Sequence, residues 1–418
     1  MQPLSHRKRI PIPFYGLALV LLIPLVSPAN SCTEQEKSSL LQFLDGLSRD
    51  SSLTESWRSD TDCCTWEGIT CSPDRTVTDI LLASRGLEGS ISPFLGNLTS
   101  LLRLNLSRNL LFGGLPLELF SASSIIVLDV SFNRLTGGLS ELPSSTPARP
   151  LQVLNISSNL FTGRFPSTTW EVMKNLVVLN ASNNSFTGQI PTTPCVSAPS
   201  FAVLELSFNQ LSGNIPPGLS NCFVLKLLSA GYNNLSGTLP DELFKITSLE
   251  HILLPSNWLE GAFHGIVKLT NLVTLDLGKN ELSGEIPDSI GELKRLQELN
   301  LDHNNMYGEL PSALSNCTNL VTVDLHANKF SGELAKVNFV NLSNLKKLDL
   351  LSNDFTGTIP ESIYSCSKLT ALRTLQILSD SRSLTTLFIG SNFLHETMPE
   401  DGIDGFENLQ QSADRTYT

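Results

Sequence analysis

Hydrophobic residues recur along most of the chain in a single phase. Leucine fills the first, fourth, sixth and eleventh places of a short block whose ninth place is asparagine. Leu101, Leu104, Leu106, Asn109, Leu111 and Gly113 make one such block, and Leu272, Leu275, Leu277, Asn280, Leu282 and Gly284 make another. The ninth place runs through Arg85, Asn109, Asn133, Asn159, Asn184, Asn209, Asn233, Asn257, Asn280, Asn304, Asn328 and Asn353, a mean step of about 24.4 residues. The Leu-x-Leu alternation predicts one short strand per block, leucines inward and x residues outward. So short a unit cannot bury its apolar stripe alone, and consecutive units must stack on a shared core.

The period and template are those of a leucine-rich repeat. The fold expected is an α/β solenoid, a right-handed superhelix with a parallel sheet on its concave face and a disulfide-stapled N-terminal cap. The asparagine amide is suited to satisfying backbone N–H and C=O groups where the chain turns out of each strand. A length of 418 residues would otherwise suggest two or three separate domains. Before the repeats, Arg7, Lys8 and Arg9, an apolar run from Phe14 to Val26, and small residues at Ser27 and Ala29 read as an export signal over residues 1–29.

After the leucine block comes Gly-x-Ile/Leu-Pro, as in Gly188-Gln-Ile-Pro191, Gly213-Asn-Ile-Pro216, Gly284-Glu-Ile-Pro287, Gly308-Glu-Leu-Pro311 and Gly357-Thr-Ile-Pro360. The chain thereby resembles the plant-type subclass of extracellular leucine-rich repeats, in which this segment forms a second short strand. Asp62-Cys-Cys-Thr-Trp-Glu-Gly-Ile-Thr-Cys71, preceded by Cys32 and the helical pattern Leu40, Leu41, Phe43, Leu44 and Leu47, is similar to that subclass's paired-cysteine cap. Four cysteines allow three connectivities; the resemblance implies Cys32 with Cys63 and Cys64 with Cys71, covering Leu81, Leu82 and the first coil. The divisions expected are a cap over 30–76, repeats over 77–372, irregular or partial repeats over 373–410 and a tail over 411–418. The step from Asn353 to Asn392 is too long for one repeat and too short for two, which marks Ala371–Thr374 as a junction where part of a repeat is lost.

Of the remaining cysteines, Cys195 and Cys222 stand about one coil apart, so a bridge between adjacent turns and two separate thiols both remain open. Cys317 and Cys366 read as buried small hydrophobes. Eight sequons, at Asn97, Asn105, Asn155, Asn180, Asn183, Asn234, Asn316 and Asn341, suit an exported glycoprotein. Asn105, Asn155 and Asn180 hold the outward place between two strand leucines, so glycans there would stand on the concave face.

Charge narrows the partners. The formal net charge is −12, and residues 1–29 contribute three bases and no acid. An acidic surface disfavours nucleic acid and anionic membranes. No phosphate-binding loop, nucleophile elbow, zinc-protease or kinase motif is present in the sequence. Asp129, Glu205, Asp276, Asp324 and Asp349 recur at one outward place, read as a solvated position. His303 and His326, on neighbouring coils, read as two exposed side chains with no metal, and no cofactor is expected. The sequence reads as a binding protein, not an enzyme.

Binding then falls to outward residues of the inner face: Phe132, Phe208, Tyr232, His251, Lys279, His303, His326 and Lys347. Further stretches, Cys195–Pro199, Ala230–Gly237, Pro360–Cys366 and Asp404–Leu409, resemble the ectodomains of receptor kinases for tyrosine-sulfated peptides. That resemblance implies a secreted peptide or protein ligand, a co-receptor leucine-rich-repeat kinase, and attachment to the plasma membrane only through a part outside this sequence. The expectation is a secreted, ligand-binding form without membrane helix or kinase. The alternative is a secreted inhibitor or defence protein that binds a foreign hydrolase, as polygalacturonase-inhibiting proteins do.

Overall fold

The computed structural model describes residues 32–48, 53–373, 386–388 and 393–394. The expected export signal, the tail and most of the irregular segment lie outside the described residues.

The cap is built on short-range hydrogen bonds. Thr33 opens the helix Glu34–Asp45: its hydroxyl accepts from the Glu36 amide at 3.2 Å, and Glu36 Oε2 accepts from the Thr33 amide at 3.0 Å. Glu36 is buried, and its other oxygen accepts from the Val77 amide at 2.8 Å, which ties the helix start to the first repeat. Phe43 packs on Trp57, which stacks on Trp66 with centroids 5.4 Å apart. Disulfides join Cys32 to Cys63 and Cys64 to Cys71, with Cα separations of 5.8 and 5.5 Å. Strand Ile69–Cys71 pairs antiparallel with Val77–Leu81 and closes that edge of the repeat sheet. Leu82 is fully buried, but Leu81 is 44% exposed. Leu81 is therefore not covered by the cap: it occupies the outward place between Ile80 and Leu82, where the strand alternation turns it to solvent.

Each repeat contributes one strand to each of two parallel sheets. The coil of Asn280 shows the plan: strand Thr274–Asp276, strand Glu281–Gly284, then the 3-10 turn Asp288–Glu292. Leu272, Leu275, Leu277, Leu282, Ile290 and Leu293 from that coil are fully buried. Among the described residues, stacking yields a 15-stranded sheet and a 13-stranded sheet. The convex side consists mostly of 3-10 turns and short α-helices, because the Gly-x-Ile-Pro segment and the next block leave room for little more than one turn. The helical part of the α/β solenoid is thus small outside the cap.

The ladder asparagines fasten neighbouring coils. Asn280 Nδ2 donates to the carbonyls of Leu254 and Leu277 at 3.0 Å each, and its Oδ1 accepts from the Leu259 amide at 3.0 Å. Both carbonyl and amide partners lie at the turn out of the strand, where the backbone leaves its regular pairing. Arg85 takes this place in the first coil and pairs instead with Glu67 of the cap at 2.6 Å.

At the far end the two sheets fall out of step. Strand Ala371–Arg373 pairs in parallel with Thr386–Phe388, bringing Ala371 opposite Thr386. The second sheet passes directly from Asp354–Gly357 to Phe393–Leu394. Two strands of the first sheet therefore correspond to one of the second. Asn392 lies outside the described residues.

Candidate functional site

The residue just before each ladder asparagine adopts a left-handed backbone. Phe132, Phe208, Tyr232, Lys279 and His303 have φ of 54°, 57°, 55°, 55° and 49°. This conformation costs an ordinary L-residue about 1–2 kcal/mol. It persists because it aims two consecutive amides at the next coil: Lys279 N–H donates to Asp302 O at 2.6 Å, and Asn280 N–H to His303 O at 3.2 Å. The side chains at this place stand out along the edge of the concave sheet.

Sequence reasoning put eight residues on one inner face, and the structure divides them among three rows. Phe132, Phe208, Tyr232, Lys279 and His303 occupy the left-handed row. His251 and Lys347 begin concave strands, and His326 lies two places before Asn328. Within the left-handed row, Phe208 and Tyr232 are about half exposed and stack face to face, centroids 4.2 Å apart and planes within 8°. Phe132 is not part of that pair; the Arg108 guanidinium lies over its ring at 4.5 Å. His251 Nδ1 lies 3.1 Å from Thr274 Oγ1.

An open groove of about 680 Å³ follows the same edge, with Trp258, Lys279, Glu281 and His303 among its walls. Trp258, 58% exposed, was missed by sequence reasoning. Its signal was present, since the place after a ladder asparagine alternates with buried Leu259 and so must point outward. Lys279 is exposed, and no ion pair to it is seen among the described residues. Lys347 differs: its Nζ lies 2.5 Å from Asp324 Oδ2, so its charge is already engaged.

The recurring acids are not one solvated row: Asp129, Glu205 and Asp276 are half-buried, and the two later ones are buried. Asp349 is fully buried and Asp324 is 6% exposed. The place is occupied by hydrogen-bond acceptors because each caps the amide two residues on, as Asp129 Oδ1 does for Ser131 N at 2.9 Å and Glu205 Oε1 for Ser207 N at 2.9 Å. Asn105, Asn155 and Asn180 do the same for Ser107, Ser157 and Ser182, and are only half-buried for that reason. The sequons at Asn97, Asn183, Asn234, Asn316 and Asn341 are exposed.

Around His326 the caps of neighbouring coils converge. His326 Nδ1 lies 2.5 Å from Asp324 Oδ1 and 3.9 Å from Asp349 Oδ2. His303 Nδ1 lies 3.0 Å from Asp302 Oδ2, and the two imidazoles meet edge to face. Asp302, absent from the sequence-level site, sits at the place usually held by serine or glycine. Cys195 and Cys222 form a disulfide with Cα atoms 4.3 Å apart, while Cys317 and Cys366 are free and buried.

Among the described residues no helix is long and apolar enough to cross a membrane. Residues 33–72 match the model of the leucine-rich-repeat N-terminal domain. Residues 260–306 match one leucine-rich-repeat model, and 175–196, 200–222 and 344–366 match another. Phytosulfokine receptor 1 of Arabidopsis thaliana is 30% identical over 215 residues, 46% of this chain and 16% of that receptor. The PEPR1–AtPEP1 crystal structure superposes with a TM-score of 0.73 at 28% identity, covering 88% of this chain and 53% of that one. The Arabidopsis receptor kinase HAESA, in complex with the peptide hormone IDA and the co-receptor SERK1, gives 0.68 at 28% identity, covering 87% and 66%. The match thus spans about a sixth of the curated receptor and under two thirds of the PEPR1 chain. The chain belongs to the leucine-rich-repeat proteins, its N-terminal domain leading an array of the kind found in plant leucine-rich-repeat receptors.

Proposed function

We propose that this chain is an extracellular ligand-binding module of the peptide-receptor ectodomain type, taking an extended anionic peptide such as a tyrosine-sulfated one. The reading has residues 1–29 as export signal, 30–76 as cap and 77–372 as the binding array, with no catalytic centre. The observation that carries it is Lys279, an exposed cation in a groove beside Trp258 and His303, with the Phe208–Tyr232 stack farther along the same edge. A rigid aromatic shelf favours an aromatic ligand ring, and an unengaged ammonium favours its anionic group. A receptor-type partner, such as a co-receptor leucine-rich-repeat kinase, would use surface outside this groove.

Calorimetric titration of the secreted chain with phytosulfokine and its unsulfated form tests the reading. The sulfated peptide should bind more tightly, and Lys279→Glu should weaken it by about 10–100-fold, the worth of one charged hydrogen bond. Equal affinity for both forms, or indifference to Lys279→Glu, overturns it. Tight binding of a fungal polygalacturonase, with neither peptide bound, would establish the inhibitor reading instead.

A further inference from the structure

We propose that Asp302, His303 and His326 form a surface site for a divalent transition-metal ion of the zinc type, with Asp324 as the carboxylate that orients His326. One ligating atom from each of the three residues lies within 4.8 Å of the others. Around tetrahedral zinc, with bonds of ~2.0–2.1 Å, ligand atoms stand ~3.4 Å apart. Side-chain rotation that shortens the widest separation by at most about 1.4 Å closes that gap. His303 is half exposed, so its ring is free to make the movement.

The surroundings fit a cation of this class. Two imidazoles and one carboxylate are a borderline donor set, suited to zinc and neighbouring ions and not to magnesium or calcium, which take oxygen ligands. Asp324 accepts from His326 Nδ1 at 2.5 Å, leaving Nε2 with its lone pair. A carboxylate behind a histidine in this way is how proteins orient ligating imidazoles and raise their basicity. Counting Asp302, Asp324 and Asp349 against Lys347, with both histidines neutral, leaves two negative charges for a divalent ion. Three protein donors leave a fourth position open towards the groove that His303 helps to line. An ion between His303 Nδ1 and Asp302 takes the place of that hydrogen bond, and the neutral imidazole then carries its one proton on Nε2.

The measurement is zinc titration by calorimetry of the purified full chain, carried on a histidine-free tag and first dialysed against chelator. One equivalent should bind, magnesium should not compete, and affinity should fall on acidification, because protons compete with the ion for its ligands. His303→Asn and His326→Asn should each abolish saturable binding. Asp324→Asn should weaken it by about 10–100-fold. His264→Asn, on the convex side, should change nothing. Far-UV circular dichroism checks that each variant is folded. Absence of saturable binding to the wild-type chain at millimolar zinc, or equal affinity in a folded His303→Asn/His326→Asn variant, overturns the proposal.

Discussion

The backbone N–H of His303 donates to the carbonyl of His326 at 2.8 Å, and their rings meet with centroids 4.5 Å apart. Residues one repeat apart in sequence are thus nearest neighbours, their spacing set by the strand separation of a parallel sheet. The solenoid turns every repeat position into a row, and a change in one coil is felt mainly by the coils on either side.

The ladder is the first point of attack. Asn280→Ala removes the acceptor for Leu259 N and the donor to Leu254 O and Leu277 O, all at a buried turn. Leaving buried backbone groups unpaired costs about 1–3 kcal/mol each. The urea midpoint should drop strongly, and more than for Lys268→Ala on the convex side.

The disulfide between Cys195 and Cys222 closes a loop across adjacent coils, with a sequence separation of 27. Chain-entropy arguments give such a loop about 3–4 kcal/mol. Cys195→Ser/Cys222→Ser should lower the melting temperature, and non-reducing peptide mapping of the wild type should recover the two cysteines in one linked peptide pair.

Two thiols should be inert. Burial pushes Cys317 and Cys366 up to about 11. Their sulfhydryls donate to Ile290 O at 3.1 Å and Phe339 O at 3.4 Å. The thiolate is the reactive form, so iodoacetamide at pH 8 should leave both unmodified in the native chain and alkylate both after denaturation.

The His326–Asp324 pair should shape the pH profile. Burial pushes Asp324 up, but hydrogen bonds from His326 and Lys347 outweigh it and hold the carboxyl down at about 2. That stabilisation is complete above the ordinary Asp value of ~4 and is lost as pH falls towards 2. The hydrogen bond to Asp324, opposed by burial, raises His326 above its ordinary value. Its contribution is complete below ~6.5 and disappears as pH rises through the raised value. The pair should therefore stabilise most between roughly pH 4 and 6.5. Urea midpoints across that range and up to pH 9 should fall on the alkaline side, and His326→Gln should flatten that limb.

Glycosylation should follow exposure. In a plant secretory host, peptide mapping should find glycans at Asn97, Asn183, Asn234, Asn316 and Asn341 in preference to Asn105, Asn155 and Asn180, whose side chains cap the amides of Ser107, Ser157 and Ser182.

The repeat architecture was legible in the leucines and asparagines, because a period sustained over a dozen blocks admits one stacked solution. The outward places were legible too, since alternation decides which side chains leave the core. Leu81, 44% exposed beside fully buried Leu82, obeys the same alternation. What the sequence left open was neighbourhood. Asp324 and Asp349 look like surface acids in a linear pattern, yet stacking buries them as caps and gathers Asp324, Lys347 and Asp302 around two histidines. Whether Cys195 meets Cys222, and whether Lys279 but not Lys347 keeps its charge unengaged, likewise depends on contacts between coils. Periodicity specifies the row a residue joins; side-chain reach across a strand spacing of ~4.8 Å decides which partner it finds there, and only the stacked structure holds that information.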